Sequence, residues 1–567
     1  MGQWFITFIA LLVIQTGIHA ETDTSKITVA TPLGLVEGYV VNTINSNPFY
    51  KFEGVPFAKP PIGKLRFEDP QDVEPWNETL KANSMIKCMQ YDHFQQEIDE
   101  TYVVHGNEDC LYVNIYTHTT NLSANLDVLV HIHGGAFMFG GGGSYGPYII
   151  MDRNIVFVTF NYRLGPLGFA TTEDDILPGN VGLKDQTKAL KWIKENIKYF
   201  GGNPDTITIH GLSAGGASVH LHYMLPASRG LFIHGISQSG CALNPWVLAE
   251  NVKEKTAKVA SLLGCPTSNS KEIKTCLKSK PAREIVRATR VFQPFLYNPF
   301  SPFGVVVDGK WASNPVLPEH PYMLLKKGKI LDLPWIVSYT HDEGLYPAAD
   351  FWADKQHLID IDTKWNEIMP FILHYNESAP SDLKDEISQR IREHYLGSKQ
   401  VNRQTYSTLV EIVSDRLFKA DIETSARLQN AVVTSDIYCY TFTYRGRVSK
   451  STARAKSVVN LGVSHGDDTI YVFSTKFDTN STEKDREMSK TLIDMITSFM
   501  KEGKPNITTK WQPLIKRHSE LLSQLNIAGP EDYEMEHVNE IGNREFWDRL
   551  PLAENHNINE FSNHEEF

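Results

Sequence analysis

Apolar positions along this 567-residue chain follow two alternating rhythms. "LDVLVHIH" (126–133) and "NIVFVTF" (154–160) are short, nearly continuous, β-branched runs bounded by turn residues, the pattern of strands buried on both faces. "LKDQTKALKWIKENIKYF" (183–200) instead spaces Leu183, Leu190, Ile193 and Ile197 at helical intervals with lysines opposite, and "GGNPD" (201–205) is predicted to stop that helix. "TITIH" then predicts a strand and "AGGASVHLHYML" the helix after it. Later, "LPWIVSYT" (333–340) and "DIYCYTFTY" (436–444) predict strands, 355–430 is helical in pattern, and "KTLIDMITSFM" (490–500) predicts a late amphipathic helix. Strands alternating with helices predict βαβ units: an α/β fold with a large, mostly parallel central sheet, flanking helices, and ligands at the carboxyl ends of the strands. No repeat, low-complexity tract or Pro/Ser-rich linker marks a boundary, so 21–567 reads as one domain.

One junction in this pattern carries chemistry. After "TITIH" comes "GLSAG", a serine between two glycines with strand before and helix after, the context a nucleophile elbow requires. Ser213 is expected in a strained backbone region that side chains at 211 and 215 would obstruct, while the helix from Ala214 turns unpaired N–H groups toward its hydroxyl. "HIHGGAFMFGGGG" (131–143) supplies a second loop with almost no side chains. It lacks the Gly-Lys-Ser/Thr of a nucleotide P-loop and reads as an oxyanion loop, with N–H groups of Gly135 and Ala136 joining that of Ala214. A serine hydroxyl needs a base, and the base needs an orienting acid. Among twenty histidines, His465 stands in a Gly-flanked loop, "NLGVSHGDD". The acid is sought in "SYTHDEGLY", at Glu343 with Asp342 as the alternative, in the order serine, acid, histidine.

Composition narrows the function further. A net charge of −12 provides no basic face for nucleic acid. The first twenty residues carry an apolar run from Trp4 to Ile14, too short to span a bilayer comfortably, and read as a secretory signal cleaved after Ala20 rather than an uncleaved anchor. Two features depart from the usual signal: no basic residue precedes the run, and Ile18 is a poor residue three before the cut. No later stretch is apolar enough to cross a membrane. Sequons at Asn77, Asn121, Asn376, Asn480 and Asn506 agree with a secretory route as glycosylation sites, and six cysteines agree with an oxidising compartment. Cys88 and Cys110 enclose one local loop and Cys265 and Cys276 another, with Cys241 and Cys439 left over; spacing leaves the connectivity open and suggests no metal site. Secretion is the expected destination, with retention in the endoplasmic reticulum lumen the lesser one because the terminal "HEEF" ends in Phe where retention signals end in Leu.

Seven stretches together carry a family resemblance: "FEGVPFAKPPIGKLRF" (52–67), "EDCLYVNIY" (108–116), "HGGAFMFG" (133–140), "NYRLGPLGF" (161–169), "PGNVGLKDQ" (178–186), "GLSAGGAS" and "GVSHGDD". The chain resembles the carboxylesterase/cholinesterase branch of the α/β-hydrolases over essentially its whole mature length, and among them the insect secreted β-esterases and antennal esterases. That resemblance implies an α/β-hydrolase fold, Ser213 as nucleophile, Glu343 as acid and His465 as base. It also implies an oxyanion hole from Gly134, Gly135, Ala136 and Ala214, disulfides Cys88–Cys110 and Cys265–Cys276, no cofactor, and a small-molecule ester as substrate.

Three positions depart from the family pattern. Leu212 stands where many members have Glu, Ala136 replaces a glycine common at the third place of the loop, and the Cys88–Cys110 loop contains no tryptophan to face a quaternary ammonium. Tyr91, Phe94 and Tyr102 are weaker aromatic substitutes. The expected function is therefore a secreted serine carboxylesterase working through an acyl-enzyme. The alternatives are a catalytically silent adhesion member of the fold, disfavoured by the complete Ser213/Glu343/His465 set, and cholinesterase-like or juvenile-hormone-esterase-like specificity, both disfavoured by Leu212.

Overall fold

The computed structural model describes residues 26–94, 103–516 and 520–555. The leader read at 1–20, Tyr102 and the terminal "HEEF" lie outside the described residues. A 13-stranded sheet forms the frame. Its long strands are β1 (Lys26–Thr31), β2 (Gly34–Asn42), β3 (Pro48–Pro56), β4 (Tyr112–Thr117), β5 (Leu126–Ile132), β6 (Val156–Phe160), β7 (Gly202–Leu212), β8 (His234–Gln238), β9 (Trp335–Thr340), β10 (Ile437–Phe442), β11 (Leu522–Gly529) and β12 (Asp532–Val538). They lie in the order β1-β2-β3-β4-β6-β5-β7-β8-β9-β10-β11-β12, with the short strand Leu80–Lys81 beside β2. From β6 to β11 every pairing is parallel, and the two margins are antiparallel.

The continuous apolar runs are explained by burial on both faces. Along β5, Val128, Val130 and Ile132 enter one core, while Leu129 between them enters the other. The first core also takes Leu183, Leu190 and Ile193 from α1 (Val181–Asn196) and Val219 and Leu221 from α2 (Ala214–Met224). The second takes Met488, Leu492, Met495, Ile496 and Phe499 from α3 (Glu483–Glu502). Each such side chain, fully buried, contributes about 1.5–3 kcal/mol of transfer free energy. Helices on both faces of a parallel sheet leave the strand ends as the place where loops converge.

The sequence expectation differs from the structure at several boundaries. "GGNPD" does stop the helical stretch, with Gly201 at φ 80° closing a 3-10 turn (Ile197–Phe200) that follows α1, but Gly202 already pairs with Leu126, so β7 begins inside the stretch read as a stop. The register of that pairing shifts between Gly202 and Ile207, where a turn-like composition is carried as an irregularity in the strand. The late helix starts at Glu483, not 490, because Thr482 caps it through the N–H of Asp485 and its first turn is polar.

Disulfides join Cys88 to Cys110 and Cys265 to Cys276, while Cys241 and Cys439 remain buried thiols. Among the described residues no helix is long and apolar enough to cross a membrane, and no group of His, Cys, Asp and Glu has the arrangement of a metal site. Of the sequon asparagines, Asn77, Asn121, Asn480 and Asn506 are exposed; Asn376 is half-buried and accepts a hydrogen bond from Lys384 Nζ.

Histidines fill the interior to an unusual degree. His131 and His210 meet through Nδ1 atoms 2.7 Å apart, His220 Nε2 lies 2.9 Å from Gln429 Oε1, and His222 bridges Ser228 and Gln186. Burial lowers the pKa of His210, His220 and His222 to about 3 and that of His133 to about 4. These imidazoles stay neutral in the native state but take protons in the unfolded chain below pH 6.5. Their contribution is complete above that pH and is lost as pH falls toward 4, at about 1.4 kcal/mol per histidine per pH unit. Burial also raises eight carboxyls among the described residues, Asp421 to about 8 and Asp467 to about 6, which act in the opposite sense, but it lowers ten histidines. The unfolding temperature, followed by calorimetry, is therefore expected to drop between pH 7 and pH 5; a flat profile across that range would contradict neutral buried imidazoles.

Candidate active site

Strand β7 ends at Leu212 and α2 begins at Ala214, leaving Ser213 alone in the corner with φ 60° and ψ −125°. That region costs a side-chain-bearing residue about 1–3 kcal/mol and persists only where the surroundings impose it. Here Ser213 N donates to Gln238 O at 2.8 Å and Ser213 O accepts from Ala217 N at 2.8 Å. The flanking glycines are obligatory. A methyl group on Gly211 would fall 2.2 Å from the Gly215 carbonyl carbon, and one on Gly215 would fall 2.0 Å from Ile132 O.

The loop after β5 passes directly over this corner. A methyl on Gly134 would lie 2.5 Å from Leu212 O and 3.0 Å from Ser213 Cβ. Gly135, Ala136 and Phe137 then have φ of 117°, 54° and 59°, a left-handed stretch that only the glycine adopts without strain. The carbonyls along the loop are occupied. His133 O accepts from Tyr162 OH, Gly134 O from the His133 ring, Gly135 O from Met138 N and Phe139 N, and Phe137 O from Gly165 N. Farther along, Gln90 pins Gly140 through both N–H and C=O. By contrast the N–H groups of Gly135, Ala136 and Ala214 have no acceptor among the described residues. Three unpartnered N–H groups thus lie on the loop and at the helix start that flank Ser213.

His465 reaches the same place from the far end of the chain. Its neighbour Gly466 abuts Leu212, the residue before the serine: a methyl on Gly466 would come 2.8 Å from Leu212 Cδ2 and 2.5 Å from Lys450 Nζ. His465 Nδ1 sits 2.6 Å from Glu343 Oε2, and the fully buried Glu343 also accepts the Thr340 N–H at 2.7 Å. The ring is held between Tyr346, stacked at 5.4 Å, and Phe418 at 4.6 Å. Neither His465 Nε2 nor Ser213 Oγ makes a hydrogen bond among the described residues. Asp342 faces another way, accepting the Val463 N–H at 2.8 Å and pairing with His341, so it braces the loop that carries His465.

Sequence reasoning passed over the groups beneath that loop. Asp467 accepts the N–H groups of Ser464 and Lys450, each at 2.8 Å, and Asp468 accepts from Tyr440 OH and Gln238 Nε2. Burial pushes both carboxyls up, Asp467 to about 6. The signal was present in "HGDD", two acids one glycine beyond the candidate base. Two of the aromatic substitutes weighed for a cation, Tyr91 and Phe94, are already engaged. Tyr91 is fully buried with its hydroxyl on His93, and the Arg454 guanidinium lies 3.3 Å over the Phe94 ring. A cavity of about 330 Å³, walled by Leu243, Pro299, Ser301 and His374, touches none of Ser213, Glu343 and His465; Phe300, between two of these wall residues in sequence, packs its ring on Tyr346.

Comparison with known proteins adds three findings. The model of the Carboxylesterase family matches residues 25–540. Venom carboxylesterase-6 of Apis mellifera is 39% identical over 93% of this chain and 95% of its own length, and a carboxylic ester hydrolase of Bombus ignitus is 39% identical over 97% and 99%. The solved structure of juvenile hormone esterase from Manduca sexta, with OTFP covalently attached, superposes with a TM-score of 0.81 at 28% identity, covering 92% of this chain and 99% of that one.

Proposed function

The chain belongs to the carboxylesterase family, with an α/β-hydrolase fold and a carboxylic ester hydrolase among its relatives, and on that premise we propose that it is a secreted serine esterase acting through an acyl-enzyme. The observation that carries the reading is the buried 2.6 Å contact between Glu343 and His465 Nδ1, which leaves Nε2 unengaged beside the corner that exposes Ser213. With Nδ1–H donated to the carboxylate, Nε2 is the basic nitrogen.

In the first half-reaction Ser213 Oγ attacks the ester carbonyl while His465 Nε2 accepts its proton. The carbonyl oxygen becomes an oxyanion between the N–H groups of Gly135, Ala136 and Ala214, with Gly134 shaping the loop. One such donor contributes about 3–4 kcal/mol of transition-state stabilisation. Collapse breaks the bond to the alcohol, which leaves with the proton from His465. Water, deprotonated by the same nitrogen, then attacks the acyl-enzyme and releases the acid. Glu343 holds the imidazole in one tautomer and stabilises its cation throughout. No step calls for a metal or a cofactor. The signal at 1–20 and the sequons belong to the same proposal: residues 21–567 leave the cell as one domain, with glycans on the exposed Asn77, Asn121, Asn480 and Asn506, and on Asn376 once its bond to Lys384 opens.

Ser213→Ala is expected to lower kcat for 4-nitrophenyl acetate by about 10⁵-fold or more with the fold intact; substantial remaining turnover would reject the mechanism. A second comparison separates the two acids. Glu343→Gln should cost about 10³-fold or more in kcat, because an amide does not enforce the required tautomer, whereas Asp342→Asn should cost less than about tenfold. The reverse ranking, measured with the same substrate, would transfer the acid's role to Asp342.

A further inference from the structure

The oxyanion loop is secured on most sides by groups from its own neighbourhood, but at one point it is tied to a distant part of the chain. Ser301 Oγ donates to Ala136 O at 3.0 Å. Its other possible acceptor, Phe303 O, is farther at 3.4 Å, so the single hydroxyl proton goes to Ala136. Ser301 and Ala136 are both buried, at 5% and 3% exposure. The acceptor residue is the strained one: Ala136 has φ 54° where its methyl is unfavourable, and the next residue, Phe137, has φ 59°.

We propose that Ser301 is a positioning residue for the oxyanion hole. The inference rests on the esterase reading above. The peptide between Ala136 and Phe137 hinges through the Ala136 α-carbon on the peptide that presents the Ala136 N–H. With Ala136 O fixed from outside, and Gly135 O fixed from within by Met138 and Phe139, the intervening residue is held in its left-handed conformation with its N–H free of any acceptor among the described residues. Without the hydroxyl, a buried carbonyl loses its partner, and an alanine with no intrinsic preference for positive φ is released. Ser301 also stands in the wall of the 330 Å³ cavity, one residue after Phe300, which touches Tyr346 beside the His465 ring. The same short strap therefore supports both the anion-binding loop and the aromatic packing against the base.

A merely structural hydroxyl and a positioning one differ in kinetics. Ser301→Ala is expected to lower kcat for 4-nitrophenyl acetate by about tenfold or more, with KM changed by less than about twofold, because only the transition state uses the donor. Affinity for a trifluoromethyl ketone, whose serine adduct carries the same oxyanion, should fall in parallel with kcat/KM. Ser301→Thr, which keeps the hydroxyl, should recover activity to within about threefold of the wild type. Glycine is at ease at positive φ, so the Ser301→Ala loss should shrink to within about threefold in an Ala136→Gly background. Unchanged kcat, a loss confined to KM, or full additivity with Ala136→Gly would overturn the assignment. Should Ser301→Ala not fold, Ser301→Cys takes its place: a similar side chain with a weaker donor, in which a kcat loss supports the proposal and wild-type kcat overturns it. Wild-type protein and Ser213→Ala run alongside, since turnover surviving in the latter counts against the esterase reading and not against Ser301.

Discussion

A side chain forced into a corner that its backbone resists is the constraint from which the rest of the site follows. Ser213 holds φ 60° and ψ −125° because a parallel strand must turn into a helix within one residue. Its own N–H and C=O are tied to Gln238 and Ala217, and the four nearby glycines at 134, 211, 215 and 240 leave no room for a methyl group. Relaxing the corner would break contacts with β5, β8 and α2 together, so the strain is retained. The same geometry leaves the first N–H of α2 without an acceptor among the described residues, at the positive end of the helix dipole.

Around this corner the molecule arranges groups that are unfavourable individually. Ala136 and Phe137 have left-handed backbones, Glu343 and Asp468 are fully buried carboxyls, and Asp467 is nearly so. Each is compensated by specific partners: Ser301 and Gly165 for the loop, His465 and Thr340 for Glu343, Tyr440 and Gln238 for Asp468. Buried polar groups are tolerable when fully partnered and costly when not. The N–H groups of Gly135, Ala136 and Ala214 have no such partner among the described residues.

Much of this was legible in the chain, and the rest was hidden for identifiable reasons. The central strands and the helices following them were readable because burial on both faces writes long apolar runs and helical faces write a clear spacing. The marginal strands β1, β2 and β12 were not, since partial burial breaks up their apolar runs, as in "GLVEGYVVN". Ser213, His465 and the Glu343/Asp342 pair were readable from glycine context and order, but only coordinates show Glu343 on the imidazole and Asp342 on Val463 N–H. Gln90, Ser301 and Tyr440 escaped notice altogether. Each is a single polar residue whose partner lies 50, 165 or 28 residues away, and no local pattern marks such a pair.

The most direct test of the central claim is the site and rate of covalent labelling by a fluorophosphonate, located by peptide mass spectrometry. One adduct per chain on Ser213, formed at least about 10³-fold more slowly when His465 is changed to Ala, is the predicted result. An adduct on a different residue, no adduct at all, or a rate indifferent to His465 would contradict it.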